Sequence, residues 1–79
     1  MAELALYSRS GCHLCDEMIE ALRPMLDAAD STLRVVDIDA DPALREKYGW
    51  RVPVLTLEDI VICEGRLDED MLRDALALR

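Results

Sequence analysis

The chain has 79 residues, of which 52% are apolar and 33% are charged, with 3 Gly and 3 Pro. This length and composition predict a single globular domain over residues 1–79, and they exclude a second core or a largely disordered chain. The formal net charge of -8 disfavours binding to nucleic-acid phosphates and to anionic lipid headgroups.

Targeting and compartment signals are weak in this sequence. No apolar run approaches the roughly 18 residues of a membrane-spanning helix, and Glu3 stands where a signal peptide needs basic residues. The chain has 3 Cys, an odd number, and its apolar fraction can supply a core without disulfide staples. We therefore expect a cytoplasmic monomer in a reducing compartment, with neither nucleic acid nor membrane as a partner.

Apolar periodicity and turn residues predict seven elements along the chain. Leu14, Met18 and Leu22 recur at helical spacing and indicate the longest helix. Asp41 and Asp68 are the expected N-caps of two later helices. The predicted elements are strands over residues 4–7, 33–38, 54–57 and 60–63, and helices over residues 13–29, over residues 42–48 and after Asp68.

The order of these elements is βαβαββα. A strand, a crossover helix and a second strand imply a parallel pair, whereas a hairpin at Glu58 and Asp59 adds antiparallel strands. The fold class is therefore α/β, with a four-stranded mixed sheet flanked by three helices. Glu-Asp is not a favoured hairpin pair, so the type of turn stays open. The last helix is expected to bury one apolar face, made of Met71, Leu72, Ala75 and Leu76.

Cys12 and Cys15 form a C-x-x-C motif where a predicted loop becomes a helix. Residues three apart on a helix lie about 5 to 6 Å from each other, within the range that a disulfide tolerates. The unpaired N–H groups and the positive dipole of the first turn stabilise a thiolate. Cys12 gains more from them than Cys15, whose side chain lies further into the helix. The motif predicts a thiol–disulfide oxidoreductase with Cys12 as the nucleophile and Cys15 as the resolving thiol.

Charged neighbours act on the Cys12 thiolate in opposite directions. Arg9 and a protonated His13 favour the thiolate, whereas Asp16, four residues after Cys12, disfavours it. The sign of the net change in the pKa of Cys12 therefore stays open.

Other candidate residues are interpreted more simply. A structural zinc site normally has four N or S ligands, and a second pair is missing here, so no metal site is expected. Cys63 lies in an apolar run and is expected to be a small buried hydrophobe without redox chemistry. Trp50 has two open interpretations: it floors the active-site groove, or it is a partly buried packing residue.

Two segments carry a resemblance to a known family. Residues 6–16, LYSRSGCHLCD, and residues 51–53, RVP, resemble the glutaredoxin branch of the thioredoxin-like superfamily. The segment C-x-L-C-D-E that begins at Cys12 is similar, more narrowly, to short glutaredoxin-like proteins known only as a domain of unknown function. The resemblance spans essentially the whole chain and implies a thioredoxin-like (glutaredoxin) fold. It also implies that Pro53 is a cis-proline facing the disulfide and that Val52 offers its backbone to an extended substrate.

The same resemblance implies glutathione as a candidate co-substrate and no covalently bound cofactor. Glutaredoxins hold glutathione with a C-P-Y-C motif and with a Gly-Gly pair followed by an acid near the last helix. Here the motif lacks Pro and Tyr, and Gly65 and Asp68 are the counterparts of the second feature. Glu64 brings negative charge where an anionic tripeptide would lie, and the available cations are Arg9, Arg51 and Arg66.

The expected substrates are protein or small-molecule disulfides, with glutathione as a further candidate. The candidate substrate-binding residues are Arg9, His13, Val52, Pro53, Gly65 and Asp68.

Two functions of other classes remain open beside the oxidoreductase. The first is a non-catalytic thioredoxin-fold binding module that reads partners with its Val52-Pro53 edge. The second is an iron–sulfur carrier, in which Cys12 and glutathione from two subunits hold a cluster. The presence of two cysteines in the motif favours dithiol chemistry over the carrier.

Overall fold

A computed structural model describes residues 2–77 of the protein, and its elements follow the predicted order. A short 3-10 turn, Ile38–Ala40, was not predicted and joins the second strand to the second helix. The elements are β1 (Glu3–Ser8), α1 (His13–Ala28), β2 (Thr32–Asp37), α2 (Pro42–Tyr48), β3 (Val54–Leu57), β4 (Ile60–Glu64) and α3 (Glu69–Ala77).

The four strands form one mixed sheet in the order β2-β1-β3-β4. β1 and β2 are parallel, and the β1–β3 and β3–β4 pairs are antiparallel, as the sequence predicts. Tyr7 pairs with Val54, so the C-terminal end of β1 and the N-terminal end of β3 lie at the same end of the sheet. The loop that leads to Cys12 and the segment that contains Pro53 are therefore both connected to this end of the sheet.

Apolar side chains cover both faces of the sheet. Because successive residues of a strand point to opposite faces, Leu6 and Leu55 pack with α1, whereas Val54 packs with Tyr48 of α2 on the other face. The larger core cluster consists of Ala2, Leu4, Leu6, Met18, Leu22, Leu26, Leu55, Leu57, Ile62 and Leu72.

The β3–β4 turn has a conformation that the sequence left open. Glu58 and Asp59 both have positive φ, 53° and 67°. A two-residue hairpin turn with positive φ at both positions is of type I′, whose twist matches that of the flanking strands. A bulge between Leu55 and Thr56 shifts the register of the same hairpin.

The last helix buries a narrower face than the sequence predicts. Leu72 is fully buried, and Ala75 and Leu76 are partly buried against the core. Met71 is 49% exposed, so its assignment to the buried face is wrong. One residue along a helix is a rotation of about 100°, which carries Met71 off the face that Leu72 occupies. Among residues 2–77, no helix is long and apolar enough to cross a membrane.

Candidate active site

Cys12 and Cys15 form a disulfide at the start of α1, with their Cα atoms 5.2 Å apart. Gly11 has a φ of +75°, which turns the chain into the helix, and Cys12 then takes the N-cap position with an extended backbone. The Cys12 Sγ accepts a hydrogen bond from the backbone N–H of Cys15 at 3.1 Å. The sulfur thus occupies the place of an N-cap oxygen, where free N–H groups and the helix dipole favour negative charge.

The two motif sulfurs differ in access to solvent. Cys12 is half-buried, whereas the Cys15 side chain is fully buried. The neighbouring His13, Asp16 and Glu17 are exposed on the first turns of α1. Cys12 is therefore the more accessible of the two cysteines, and its role as nucleophile stays a prediction.

The segment before β3 leaves the sheet at the same end as the loop that leads to this motif. The Val52–Pro53 peptide bond is cis, as the resemblance implies, and the Pro53 side chain is buried. The Pro53 carbonyl accepts a hydrogen bond from the N–H of Gly65 at 2.8 Å, which ties the β4–α3 loop to this segment. The N–H of Val52 donates to the Tyr48 carbonyl at 3.1 Å, so this donor is already used inside the chain. A role of Val52 in binding substrate stays a prediction.

Arg9, in the loop between β1 and α1, binds groups in two other segments of the chain. Its Nη2 lies 2.8 Å from Asp39 Oδ1, and its Nη1 donates to the Gly49 carbonyl at 3.3 Å. The positive charge that the sequence assigns to the surroundings of Cys12 is therefore matched by the Asp39 carboxylate.

Arg51 forms a second ion pair, with Glu64. The Arg51 Nη2 lies 2.6 Å from Glu64 Oε2, and the guanidinium carbon lies 5.3 Å from the centre of the Tyr48 ring. That ring stacks on Tyr7 with centroids 4.5 Å apart. The hydrogen bond from Arg51 lowers the pKa of Glu64, and the same bond raises the pKa of Arg51. Both groups are solvent-exposed, so the pair fixes geometry more than it stabilises the fold.

The β4–α3 loop carries two further residues that the sequence singles out. Asp68 caps α3 as predicted, since its Oδ1 accepts from the N–H of Met71 at 3.1 Å. Cys63 is half-buried, and burial raises the pKa of its thiol although a backbone hydrogen bond at Asp68 acts in the opposite direction. Within residues 2–77, no three His, Cys, Asp or Glu side chains form a group suited to hold a metal ion.

A cavity of about 260 Å³ separates the start of α1 from the β4–α3 loop. Glu17 and Arg66 are its charged lining residues, and Leu14 belongs to the C-x-x-C motif itself. The cavity is lined by Leu14, Glu17, Met18, Ala21, Gly65, Arg66 and Leu67.

The structure adds features that the sequence analysis missed. Trp50 is fully exposed, so its interpretation as a partly buried packing residue is wrong. The Arg51–Glu64 pair joins residues 13 positions apart. Val54 pairs with Glu64 across the hairpin, so the register of β3 with β4 could have indicated this ion pair. The Arg9–Asp39 pair joins residues 30 positions apart across the β1–β2 edge, which no local pattern indicates.

Comparison with known proteins identifies the family. Residues 3–77 match the model of the family described as Glutaredoxin-like domain (DUF836). The chain belongs to this family. As a glutaredoxin-like protein it has the thioredoxin-superfamily fold that the resemblance implies.

Individual proteins that are similar to this chain agree with this assignment. A protein from Nitrosomonas europaea, solved by NMR, is 39% identical with a TM-score of 0.86, and the match covers 94% of this chain and 89% of that one. A mutant thioredoxin from Halobacterium salinarum is 28% identical with a TM-score of 0.65, over 98% of this chain and 73% of that one. An uncharacterized protein of Mycobacterium tuberculosis is 28% identical over 80 residues, covering 95% of this chain and 82% of its own length.

Proposed function

We propose that this glutaredoxin-like protein is a dithiol–disulfide oxidoreductase that uses the Cys12–Cys15 pair. The observation that carries the proposal is the geometry of Cys12: a half-exposed sulfur at the N-cap of α1, which accepts the N–H of Cys15 at 3.1 Å. The buried Cys15 lies behind it, with its Cα atom 5.2 Å away. This arrangement favours one thiolate for attack and keeps the second within reach of the first.

The reaction proceeds in two exchange steps. The Cys12 thiolate attacks one sulfur of a substrate disulfide, the substrate S–S bond breaks, and the released thiolate takes up a proton. The Cys15 thiolate then attacks the Cys12 Sγ, which forms the Cys12–Cys15 bond and releases the second substrate thiol. Two electrons pass from the chain to the substrate, and an external thiol reductant returns the chain to the dithiol.

The proposed substrates are protein or small-molecule disulfides, with glutathione as a candidate co-substrate. We further propose that the protein acts as a monomer. Its proposed location is a reducing cytoplasm, because the dithiol must be regenerated after each turnover.

Replacement of each cysteine tests the proposed roles. Cys12→Ser should abolish disulfide reduction, whereas Cys15→Ser should retain the first attack and accumulate a mixed disulfide that mass spectrometry detects. Cys63→Ala is the matched control and should leave both steps intact. Reduction that persists in Cys12→Ser at the wild-type rate would refute the proposal.

A further inference from the structure

Two of the three cations that the sequence offers for binding an anionic substrate are neutralised inside the chain. Arg9 is bound to Asp39 at 2.8 Å, and Arg51 is bound to Glu64 at 2.6 Å. An anionic substrate that used either guanidinium would have to displace a carboxylate that neighbouring structure already positions. Displacement of a preorganised partner costs binding free energy, so these two arginines favour anionic substrates little.

More acidic than basic side chains line the cavity beside the motif and the open cleft that adjoins it. Arg66 shares the cavity beside the motif with Glu17, and within residues 2–77 it forms no ion pair. A further cation, Lys47, lies over the Tyr48 ring, 5.1 Å from its centre. Asp68 lines an adjoining open cleft, and Asp16 lies in the first turn of α1. Charges of this kind attract cationic partners and repel anionic ones before contact is made.

Exposed apolar side chains lie inside the motif and in the segment that is hydrogen-bonded to the loop before it. Leu14, inside the motif, is 47% exposed and lines the cavity of about 260 Å³. Trp50 is fully exposed in the segment that follows Gly49, whose carbonyl binds Arg9. Large apolar surface in water is a common contact point for polypeptides, and Trp is enriched among the residues that dominate interfaces.

We propose that the preferred substrate is a disulfide in a polypeptide with lysine or arginine beside the half-cystine that Cys12 attacks, and not glutathione disulfide. The proposal rests on the function proposed above. The basic side chains face Glu17 and Asp68, their aliphatic stems cover Leu14, and an apolar side chain of the same polypeptide packs on Trp50. The reaction follows the two exchange steps given above: the disulfide bond of the polypeptide breaks, the Cys12–Cys15 bond forms, and two electrons reduce the polypeptide disulfide to two thiols.

The first test compares disulfide substrates that differ only in charge. Three peptides of equal length carry one disulfide flanked by Lys, Ser or Glu, and glutathione disulfide and the neutral bis(2-hydroxyethyl) disulfide are included. The fully reduced full-length protein is mixed with each, and the rate of Cys12–Cys15 oxidation is measured. The Lys peptide should react about tenfold faster than the Glu peptide at low salt, and the ratio should shrink at high salt.

A charge-neutral variant tests the part played by the internal ion pair. Glu64→Gln releases Arg51, so it should raise the rate with glutathione disulfide and narrow the preference for Lys over Glu. Both changes should weaken as salt shortens the screening length to about 8 to 10 Å or less. Glu3→Gln is the matched control, since it removes the same charge at the opposite end of β1 and should leave the preference unchanged.

A second variant tests the apolar contact. Trp50→Ala should lower the ratio of the peptide rate to the bis(2-hydroxyethyl) disulfide rate by about fivefold, because a fully exposed side chain contributes little to folding but much to an interface. An unchanged ratio would remove Trp50 from the proposed surface and overturn that part of the proposal.

The outcomes separate this proposal from the proposed function. If bis(2-hydroxyethyl) disulfide is reduced but the Lys and Glu peptides react equally, or glutathione disulfide reacts fastest, the substrate proposal is overturned and the oxidoreductase stands. If no disulfide in the set is reduced, both proposals are overturned.

Discussion

The three cysteines of this chain have different surroundings, and these determine their expected chemistry. Cys12 is half-exposed and accepts a backbone N–H, Cys15 is fully buried, and Cys63 is half-buried with a raised pKa. Thiol reactivity depends on access and on stabilisation of the thiolate, so Cys12 is favoured on both counts. The sequence predicts this ranking because the loop-to-helix position of the motif is local information.

The order of alkylation checks this ranking directly. In the reduced protein near neutral pH, iodoacetamide should label Cys12 well before Cys15 or Cys63, since the thiolate is the reactive form. Peptide mass spectrometry at timed intervals gives the rate at each position. Faster labelling of Cys15 would reverse the proposed roles of nucleophile and resolving thiol.

Cys63 should make stability depend on pH in the alkaline range. Its folded-state pKa lies above the ordinary value of 9.0 because burial disfavours the thiolate. A group of this kind contributes stability that is fully present below the unfolded pKa and is lost as the pH rises through the folded pKa.

Urea unfolding at a series of pH values tests this sign. In a background with Cys12→Ser and Cys15→Ser, the protein that keeps Cys63 should lose more stability above the ordinary thiol pKa of 9.0 than the Cys63→Ala variant. Parallel pH profiles for the two proteins would contradict the raised pKa.

At the scale of elements, the sequence predicts features that depend on local pattern, and it does not predict features that depend on contacts between distant residues. The predicted bounds of β3 agree with the structure, and those of α1 differ by one residue at its end, because periodicity and turn residues are local signals. The Arg51–Glu64 pair depends on the register of β3 with β4, which includes a bulge after Leu55. A one-residue shift in register reverses the face of each side chain, so such pairs need the folded sheet to be seen.

The type I′ turn gives a prediction about stability. Asp59 has a φ of 67°, where Gly is unstrained and Ala is not. Asp59→Gly should therefore be more stable than Asp59→Ala by about 1 kcal/mol, measured by urea unfolding. The same two substitutions at the exposed helical residue Asp74 should give the opposite order, since Ala exceeds Gly by about 1 kcal/mol in a helix. A common order at both positions would contradict the turn assignment.

For the whole molecule, formation of the Cys12–Cys15 disulfide should change the free energy of unfolding only slightly. The Cys12–Cys15 disulfide closes a short ring, with a sequence separation of 3, and such a ring restrains the unfolded chain by only about 2 kcal/mol. Stabilisation of the Cys12 thiolate in the reduced fold offsets part of this amount.

Unfolding of both redox forms tests the balance. The free energy of unfolding of the oxidised form should exceed that of the reduced form by no more than about 2 kcal/mol. The reduced form is measured in an excess of a phosphine reductant. Oxidised protein that is more stable by twice that amount would contradict a stabilised Cys12 thiolate.

The proposed dithiol couple is tested most directly by a redox titration of the full chain in dithiothreitol buffers, with alkylation and mass spectrometry to count free thiols. We predict one reversible two-electron step confined to Cys12 and Cys15, in which the ratio of dithiol to disulfide changes tenfold per about 30 mV. The Cys63→Ala variant should have the same midpoint. A pair that shows no reversible couple would favour a binding module, and a coloured protein that holds iron and sulfide would favour a cluster carrier; either result would contradict the oxidoreductase.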